Sequence, residues 1–380
     1  MKKKNIIFYI KISKKIFLNA LSIILGVIDK KNSVLSILDN ILVDSRENKI
    51  ILSATNLEIK ITTYITCNEN ILNQIKIPGI ITIPGKKLFH ILKLLNLNDT
   101  PSIIAIKDFV LIKTNNSKFL LNTLPYKDYP ISNFKNPTIK IIMRSYDIVD
   151  LFQFTYFVIP QNDSRIYLNG LLLDFTKGQI TSVSTDGYRM AIKKIFHEKI
   201  NFNSKFLLPK KGVQEILKLL LNTKNTDLVI CGNENYLRFY TKLYNIELKL
   251  IKAKFPSYQK IIPTYQDKIV LIDRDKFKQA LKRVSILTNE KSKAIILHIK
   301  PSILIIKSTN KEKENAIELL NANIKGKEIK IGVNVDYLLD ILNILPKGLI
   351  KLSMQSSDSS ILIQISNNDN YKYIVMPMKI

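Results

Sequence analysis

The chain has 380 residues, 46% of them hydrophobic, which excludes a disordered protein and leaves room for two or three domains with buried cores. It carries 58 Lys and Arg against 31 Asp and Glu, and the net charge of +27 favours a polyanionic partner such as nucleic acid, although a wealth of Lys, Asn and Ile is also what A+T-rich coding produces. Two cysteines, Cys67 and Cys231, exclude a disulfide scaffold and a metal knuckle and point to a reducing, cytoplasmic setting.

In chain order, the basic start MKKKNIIFYIKISKK holds an apolar run of five residues before Lys11, too short for a secretory core. Ser13 then caps a predicted helix whose stripe is Phe17, Ala20, Leu21 and Ile24; its apolar end, ALSIILGVI, is too short to span a bilayer. The β-branched run KIILSATNLEIKITTYI follows, with a turn at SATN. Pro84 leads into a second helix with Leu88, Ile91, Leu92 and Leu95 in line, and LLNTLPYKDYP ends the set.

The same order then recurs. Ser145 opens the helix YDIVDLFQFTYFVI, GQITSVSTDGYRMAIKKI supplies strands around a turn, Pro209 leads into a helix striped by Val213, Ile216, Leu217 and Leu220, and LKLIKAKFPSYQKIIP closes. A third round has Asp273 or Asp275 capping Phe277, Ala280, Leu281 and Val284, then SILIIKSTNKEKENAIEL, then Asn334 capping Leu338, Ile341, Leu342 and Leu345, then YKYIVMPMKI. The pentapeptide ILKLL stands at 91–95 and again at 216–220, and ILNIL stands at 341–345. A lone pentapeptide recurs by chance in so Ile-, Leu- and Lys-rich a chain; helices, strand blocks and proline-marked ends recurring in one order do not. The expected fold is therefore α+β, three tandem copies of one domain at 1–138, 139–265 and 266–380.

At RIYLNGLLLDF, STDGYRMAI, FPSYQKIIP, LKRVSILTNEKSKAI and YIVMPMKI, and in the first third at LSILDNILV and SATNLEIKI, the sequence resembles the bacterial sliding clamp, the beta subunit of DNA polymerase III. The resemblance runs over nearly the whole chain from about residue 6. It implies three like domains, each with two helices inside and sheets outside, and two chains joined head to tail in a ring around duplex DNA. A ring restrains DNA by enclosure, so its contacts with phosphate need only be weak and independent of sequence.

The implied DNA-facing candidates are Lys86 and Lys87 on the first repeated helix, Lys210, Lys211 and Lys218 on the second, and Arg165; Lys210, Lys211 and Arg165 match basic DNA-contacting positions of the family. Lys93, Lys278, Lys282 and Arg283 add to the basic faces, whereas Asp336, Asp340 and Asn343 make the third repeated helix acidic or neutral. A single lysine in so basic a chain reads equally well as a solvated face.

The resemblance also implies a groove for partner peptides with apolar anchors. Its matching walls are Tyr167, Leu168, Thr185, Gly187, Tyr188, Arg189, Met190, Pro256, Lys260, Ile261, Asn334, Tyr337, Ser360, Val375, Met376, Pro377 and Met378. The plainer reading makes TDGY a tight turn with Gly187 at positive φ, and IVMPM an edge strand ended by Pro377. Lys260 and Lys379 replace arginines common in the family, Tyr188 a frequent histidine and Ser36 a usual proline; the family's members also tend to be acidic overall. Implied partners are duplex DNA, a second copy of the chain, the DNA polymerase III alpha subunit, a clamp loader and other proteins with a clamp-binding motif.

His90, His197 and His298 are scattered, and no nucleotide-binding, hydrolase or metalloprotease motif occurs. The expectation is a non-enzyme with no cofactor and no metal. Its rivals are a basic protein that merely coats nucleic acid, which the threefold repeat disfavours, and a nuclease or base-modifying enzyme, which needs metal ligands or an acid and base pair.

Overall fold

The computed structural model describes residues 6–28, 35–67, 73–222 and 225–379; the basic residues 1–5 of the start read above lie outside them. Six α-helices occur among the described residues: α1 (Lys14–Ile24), α2 (Gly85–Leu94), α3 (Ser145–Gln153), α4 (Lys210–Leu221), α5 (Arg274–Ser285) and α6 (Val335–Ile344). The chain divides into two compact units, Met1–Ser145 with Lys218–Leu250, and Tyr146–Leu217 with Ile251–Ile380. All strand pairing described below is antiparallel.

The first unit holds a five-stranded sheet ordered Gln74–Ile77, Ile6–Lys11, Ser102–Ile106, Phe109–Lys113 and Lys118–Asn122. Its eight-stranded sheet runs Ile139–Arg144, Asp227–Gly232, Tyr236–Tyr240, Tyr244–Lys249, Ile59–Thr66, Lys49–Thr55, Asn40–Asp44 and Ile80–Pro84. Two distant stretches fuse in that sheet, Tyr244–Lys249 beside Ile59–Thr66 with Ile246 opposite Ile61. Phe17, Leu21 and Ile24 of α1 and Leu88 and Leu92 of α2 are wholly buried, as their helical spacing predicts. Lys14 is buried too, and its ammonium donates to the carbonyls of Lys93 and Leu95, orphan acceptors at the end of α2.

The second unit holds a nine-stranded sheet ordered Ser204–Pro209, Gly170–Thr176, Gln179–Thr185, Arg189–Phe196, Asn368–Val375, Ile361–Ile365, Leu349–Met354, Lys268–Asp273 and Asn323–Lys325. Its four-stranded sheet runs Asn315–Asn321, Ile303–Thr309, Ala294–Lys300 and Ile329–Asn334. Helices α5 and α6 lie over one face of the nine-stranded sheet, where Phe277, Leu281, Leu338 and Ile341 meet Ile350, Ile363, Tyr373 and Val375. Their strand neighbours Leu362 and Ile374 point to the opposite face and, with Leu172, Val183, Met190 and Tyr258, build a smaller core under residues 251–262.

Several local expectations need correction. Ser13 stands at the N-cap of α1, but its hydroxyl makes no capping bond. Pro84 and Pro209 end the preceding strands, and α2 and α4 start one residue later. Helix α3 stops at Gln153 because buried Thr155 turns its hydroxyl back to the Leu151 carbonyl at 2.8 Å; a 3₁₀ turn, Tyr156–Val158, follows. In α2 the stripe is narrower than predicted, Ile91 and Leu95 being half-buried. The strand before Pro377 is no edge: Asn368–Val375 lies between Arg189–Phe196 and Ile361–Ile365.

By contrast Asp273 caps α5 through the Lys276 N–H at 2.9 Å, and Asn334 caps α6 through the N–H groups of Asp336 and Tyr337 at 2.9 and 3.3 Å.

Candidate functional site

The turn after Gln179–Thr185 is built by its own side chains. The Thr185 hydroxyl donates to the Arg189 carbonyl at 2.7 Å and accepts the Gly187 N–H at 3.1 Å. One Asp186 oxygen accepts the N–H groups of Tyr188 and Arg189, both at 2.9 Å. Gly187 takes φ +91°, and a Cβ there would lie 2.9 Å from the Arg165 guanidinium, so both backbone and space call for glycine.

Arg189 is fixed on several sides. Its Nε donates to Asp186 at 3.0 Å, its Nη1 donates to Asp340 of α6 at 2.7 Å, and its guanidinium lies 4.5 Å from the centre of the Tyr337 ring. The turn and α6 are thereby held together.

Beside this turn lies a groove of about 250 Å³, lined by Tyr167, Leu168, Thr185, Gly187, Tyr188, Arg189, Met190, Pro256, Ile261, Ile374 and Met376. Leu168, Met190 and Ile374 are buried and form its floor, while Tyr188, Ile261 and Met376 are exposed at the rim. The Met376 N–H donates to the Tyr188 carbonyl at 2.9 Å, which ties the two rims. Tyr167 meets Phe255 edge to face at 6.5 Å. Residues 251–262 are anchored by the Tyr258 hydroxyl, which donates to Asp174 at 3.1 Å; burial, and then the Asp174 charge, push that phenol well above its ordinary pKa.

Ten of the residues named from sequence thus line one groove. Val375 does not: it is wholly buried in the α5–α6 core, because the period of two that aims Ile374 and Met376 at the groove turns Val375 away. Nor do Lys260, Asn334, Tyr337, Ser360, Pro377 and Met378 line it. Asn334 caps α6, Tyr337 packs against Arg189, Lys260 is exposed on the 3₁₀ turn Tyr258–Ile261, and the Met378 N–H donates to the Gly332 carbonyl. Sequence reasoning missed Ile374, which shares a strand face with Met376, and read Asp340, one helical turn beyond Tyr337, only as part of an acidic helix face and not as the partner of Arg189.

The basic candidates are less uniform. Lys87 and Lys218 are exposed, and Lys86 and Lys211 half-buried. Lys210 donates to the Ile159 carbonyl at 2.6 Å, and partial burial lowers its pKa. Arg165 is clamped in two parallel bonds to Asp163, both 2.9 Å, and reaches the Asp186 carbonyl at 3.2 Å, so it braces the underside of the groove turn. Arg283 is likewise taken by Glu318 at 2.6 and 2.9 Å. Lys93 and Lys282 are exposed and Lys278 is half-buried. Among the described residues no group of three or more His, Cys, Asp or Glu is placed to hold a metal, and no helix is long and apolar enough to cross a membrane.

Three family models match in tandem: the N-terminal domain of the DNA polymerase III beta subunit over residues 8–133, its central domain over 144–257 and its C-terminal domain over 259–379. The beta sliding clamp of Pseudomonas putida is 31% identical over 97% of this chain and 99% of its own length. That of Buchnera aphidicola is 31% identical over 92% and 94%. The solved DNA polymerase III subunit beta of Pseudomonas aeruginosa superimposes with a TM-score of 0.93 at 30% identity, covering 98% of this chain and all of that one, and a second structure from that organism is bound to griselimycin.

Proposed function

The chain belongs to the DNA polymerase III beta subunit family and is a DNA sliding clamp, and from that premise we propose how its own residues divide the work. As a clamp it is a processivity factor, not an enzyme; its partners are duplex DNA, a second copy of itself and the replicative polymerase. We infer that it works in the cytoplasm.

The observation that carries the proposal is a pair of unpaired strand edges. Within each unit, a strand of one module pairs antiparallel with a strand of another, Tyr244–Lys249 with Ile59–Thr66 and Arg189–Phe196 with Asn368–Val375. Of the terminal strands among the described residues, two are candidates for the same kind of pairing: Lys118–Asn122, last in the five-stranded sheet, and Asn315–Asn321, last in the four-stranded one. Both alternate exposed and half-buried residues, with Leu120 and Leu319 each 64% exposed. Bare edges with apolar side chains are pairing templates. Each edge takes its complement from a second copy, head to tail, and the two equal contacts close a ring.

In that ring Lys86, Lys87, Lys211 and Lys218 supply an attraction that is indifferent to sequence and lets DNA slide. Lys210, which donates to the Ile159 carbonyl, and Arg165, clamped to Asp163, add their charge to the same field. The groove around Met190, Ile374 and Met376 takes the apolar anchors of a polymerase, loader or other partner peptide. The modules run 1–138, 139–265 and 266–380.

Native mass measurement tests the assembly. The chain should weigh about twice its 43.7 kDa, and Leu120→Lys together with Leu319→Lys should return it to the single-chain mass. A wild-type monomer, or a double variant that still dimerises, would refute the edge assignment.

A further inference from the structure

The nine-stranded sheet carries a second concavity, at the far end of the face that bears the groove. Its volume is about 450 Å³, and Ile269, Leu271 and Ile365 line it together with Lys325, Lys351 and Gln364. Val270 and Ile272 point into the α5–α6 core, so Ile269 and Leu271 face the other way. Lys351 does the same between Ile350 and Leu352, and Lys325 stands opposite Ile269 on the short outermost strand.

A break in the ladder shapes the cleft. Ile363 pairs with Tyr373, but Ile365 pairs with Asn368, so residues 369–372 bulge opposite Gln364 alone. Gln364, nearly buried, donates its amide to Asp369 at 2.7 Å and so occupies one oxygen of the cleft's carboxylate. Among the described residues the ammonium groups of Lys325 and Lys351 have no ion-pair or hydrogen-bond partner. Two open cations over an apolar floor, with one engaged carboxylate, make an anion site that also accepts aliphatic surface.

Strand Asn368–Val375 joins both places, with Ile374 lining the groove and Asp369 the cleft. Five residues at about 3.3 Å each put them about 17 Å apart or less, the reach of a short extended peptide flank. We propose that Lys325 and Lys351 bind an acidic segment flanking the apolar anchors of a partner peptide, so that groove and cleft read one peptide together; this rests on the groove assignment above. An acidic peptide suits the cleft better than nucleic acid does, since the floor is aliphatic, no lining residue is aromatic for a base to stack on, and Asp369 would oppose a phosphate chain.

Fluorescence anisotropy with synthetic peptides tests it on the full-length protein. A peptide with leucine and phenylalanine anchors is compared with the same peptide extended by glutamates and by glutamines, at each end in turn. At low salt one glutamate flank should bind roughly three- to tenfold tighter than its glutamine counterpart, an advantage that fades toward physiological salt. Lys325→Gln with Lys351→Gln should erase it while leaving the anchor-only affinity and the thermal melt unchanged. Equal affinities for both flanks, or an advantage that survives the double variant, would overturn the cleft alone. An anchor-only peptide that fails to bind would overturn the groove, and the cleft's role with it. A single-stranded oligonucleotide that displaces the glutamate flank, and loses that power in the double variant, would make this a phosphate site instead.

Discussion

Two turns in this molecule share one hydrogen-bonded scaffold and only one of them makes a site. At Thr55–Ile59, the threonine hydroxyl accepts the Leu57 N–H at 3.1 Å, and the Asn56 side chain accepts the N–H groups of Glu58 and Ile59 at 3.2 and 2.8 Å. At Thr185–Arg189 the same three bonds recur with Gly187, Tyr188 and Arg189 as donors. Even the left-handed residue is shared, Leu57 at φ +76° and Gly187 at +91°. What differs is the cargo. The first turn hands its chain to Ile59, a core residue 1% exposed; the second hands it to Arg189, which Asp186, Asp340 and Tyr337 hold at the wall of a groove. A threonine followed by Asn or Asp therefore encodes a way to reverse a strand, and function lies in the residues the turn presents.

Matched substitutions sharpen that contrast. Ile59→Ala should cost about 2–5 kcal/mol in denaturant unfolding and leave peptide affinity at the groove unchanged, since it empties core volume and nothing else. Arg189→Met should cost less, about 1–3 kcal/mol, because Asp340 is half-exposed and keeps its solvation. Yet it should weaken an anchor peptide roughly tenfold. If Ile59→Ala weakens the peptide as much as Arg189→Met does, the division between the turns fails.

The glycine position separates them further. Gly187→Ala should destabilise by about 1–2 kcal/mol, from the left-handed backbone and the crowded Arg165 guanidinium. Leu57→Gly should change stability by less than about 1 kcal/mol in the stabilising direction, since relief of the left-handed leucine is offset by glycine's greater unfolded entropy. Thermal melts read both signs, and a stabilising Gly187→Ala would show that the turn tolerates a Cβ.

How far the sequence disclosed all this depends on the range of the interactions involved. The helix stripes are local, so Phe17–Leu21, Val213–Leu217 and Leu338–Leu342 were readable from their spacing and are buried as expected. Strand pairing is not local. A period of two tells which face of Ile59–Thr66 is buried but not that Tyr244–Lys249 lies beside it, some 180 positions on. The same distance hid the partners of charged groups: nothing near Lys210 in sequence names the Ile159 carbonyl, and nothing near Arg189 names Asp340. Most of the groove was legible because its residues came as contiguous motifs. Val375 was misplaced where alternation within one motif sends neighbours to opposite faces.

A second pair of twins gives the smallest predicted effect. Asp-Ser-Arg occurs at 44–46 and at 163–165, and in both places the arginine Nε and Nη2 bridge the two aspartate oxygens while the arginine N–H bonds the same carboxylate. A clamp that forms twice from three residues is a local structure, which is the simplest reason Arg165 is engaged before any DNA arrives. At Asp163 the Arg165 hydrogen bonds dominate and hold the carboxyl at about 2. At Asp44 partial burial works upward against the Arg46 bonds, and the net lowering is smaller. A depressed acid stabilises the fold above its unfolded pKa, about 3.9, and loses that contribution as pH falls through the folded value. Each clamp should thus be fully formed above about pH 4 and fail on acidification, Asp44 first and Asp163 near pH 2. Carboxyl-carbon NMR of selectively labelled protein would follow both, with Asp163→Asn and Asp44→Asn assigning the signals. Protonation of Asp163 before Asp44, or of both at the ordinary carboxylate value, would mean that the arginines are free in solution and that Arg165 is available to phosphate after all.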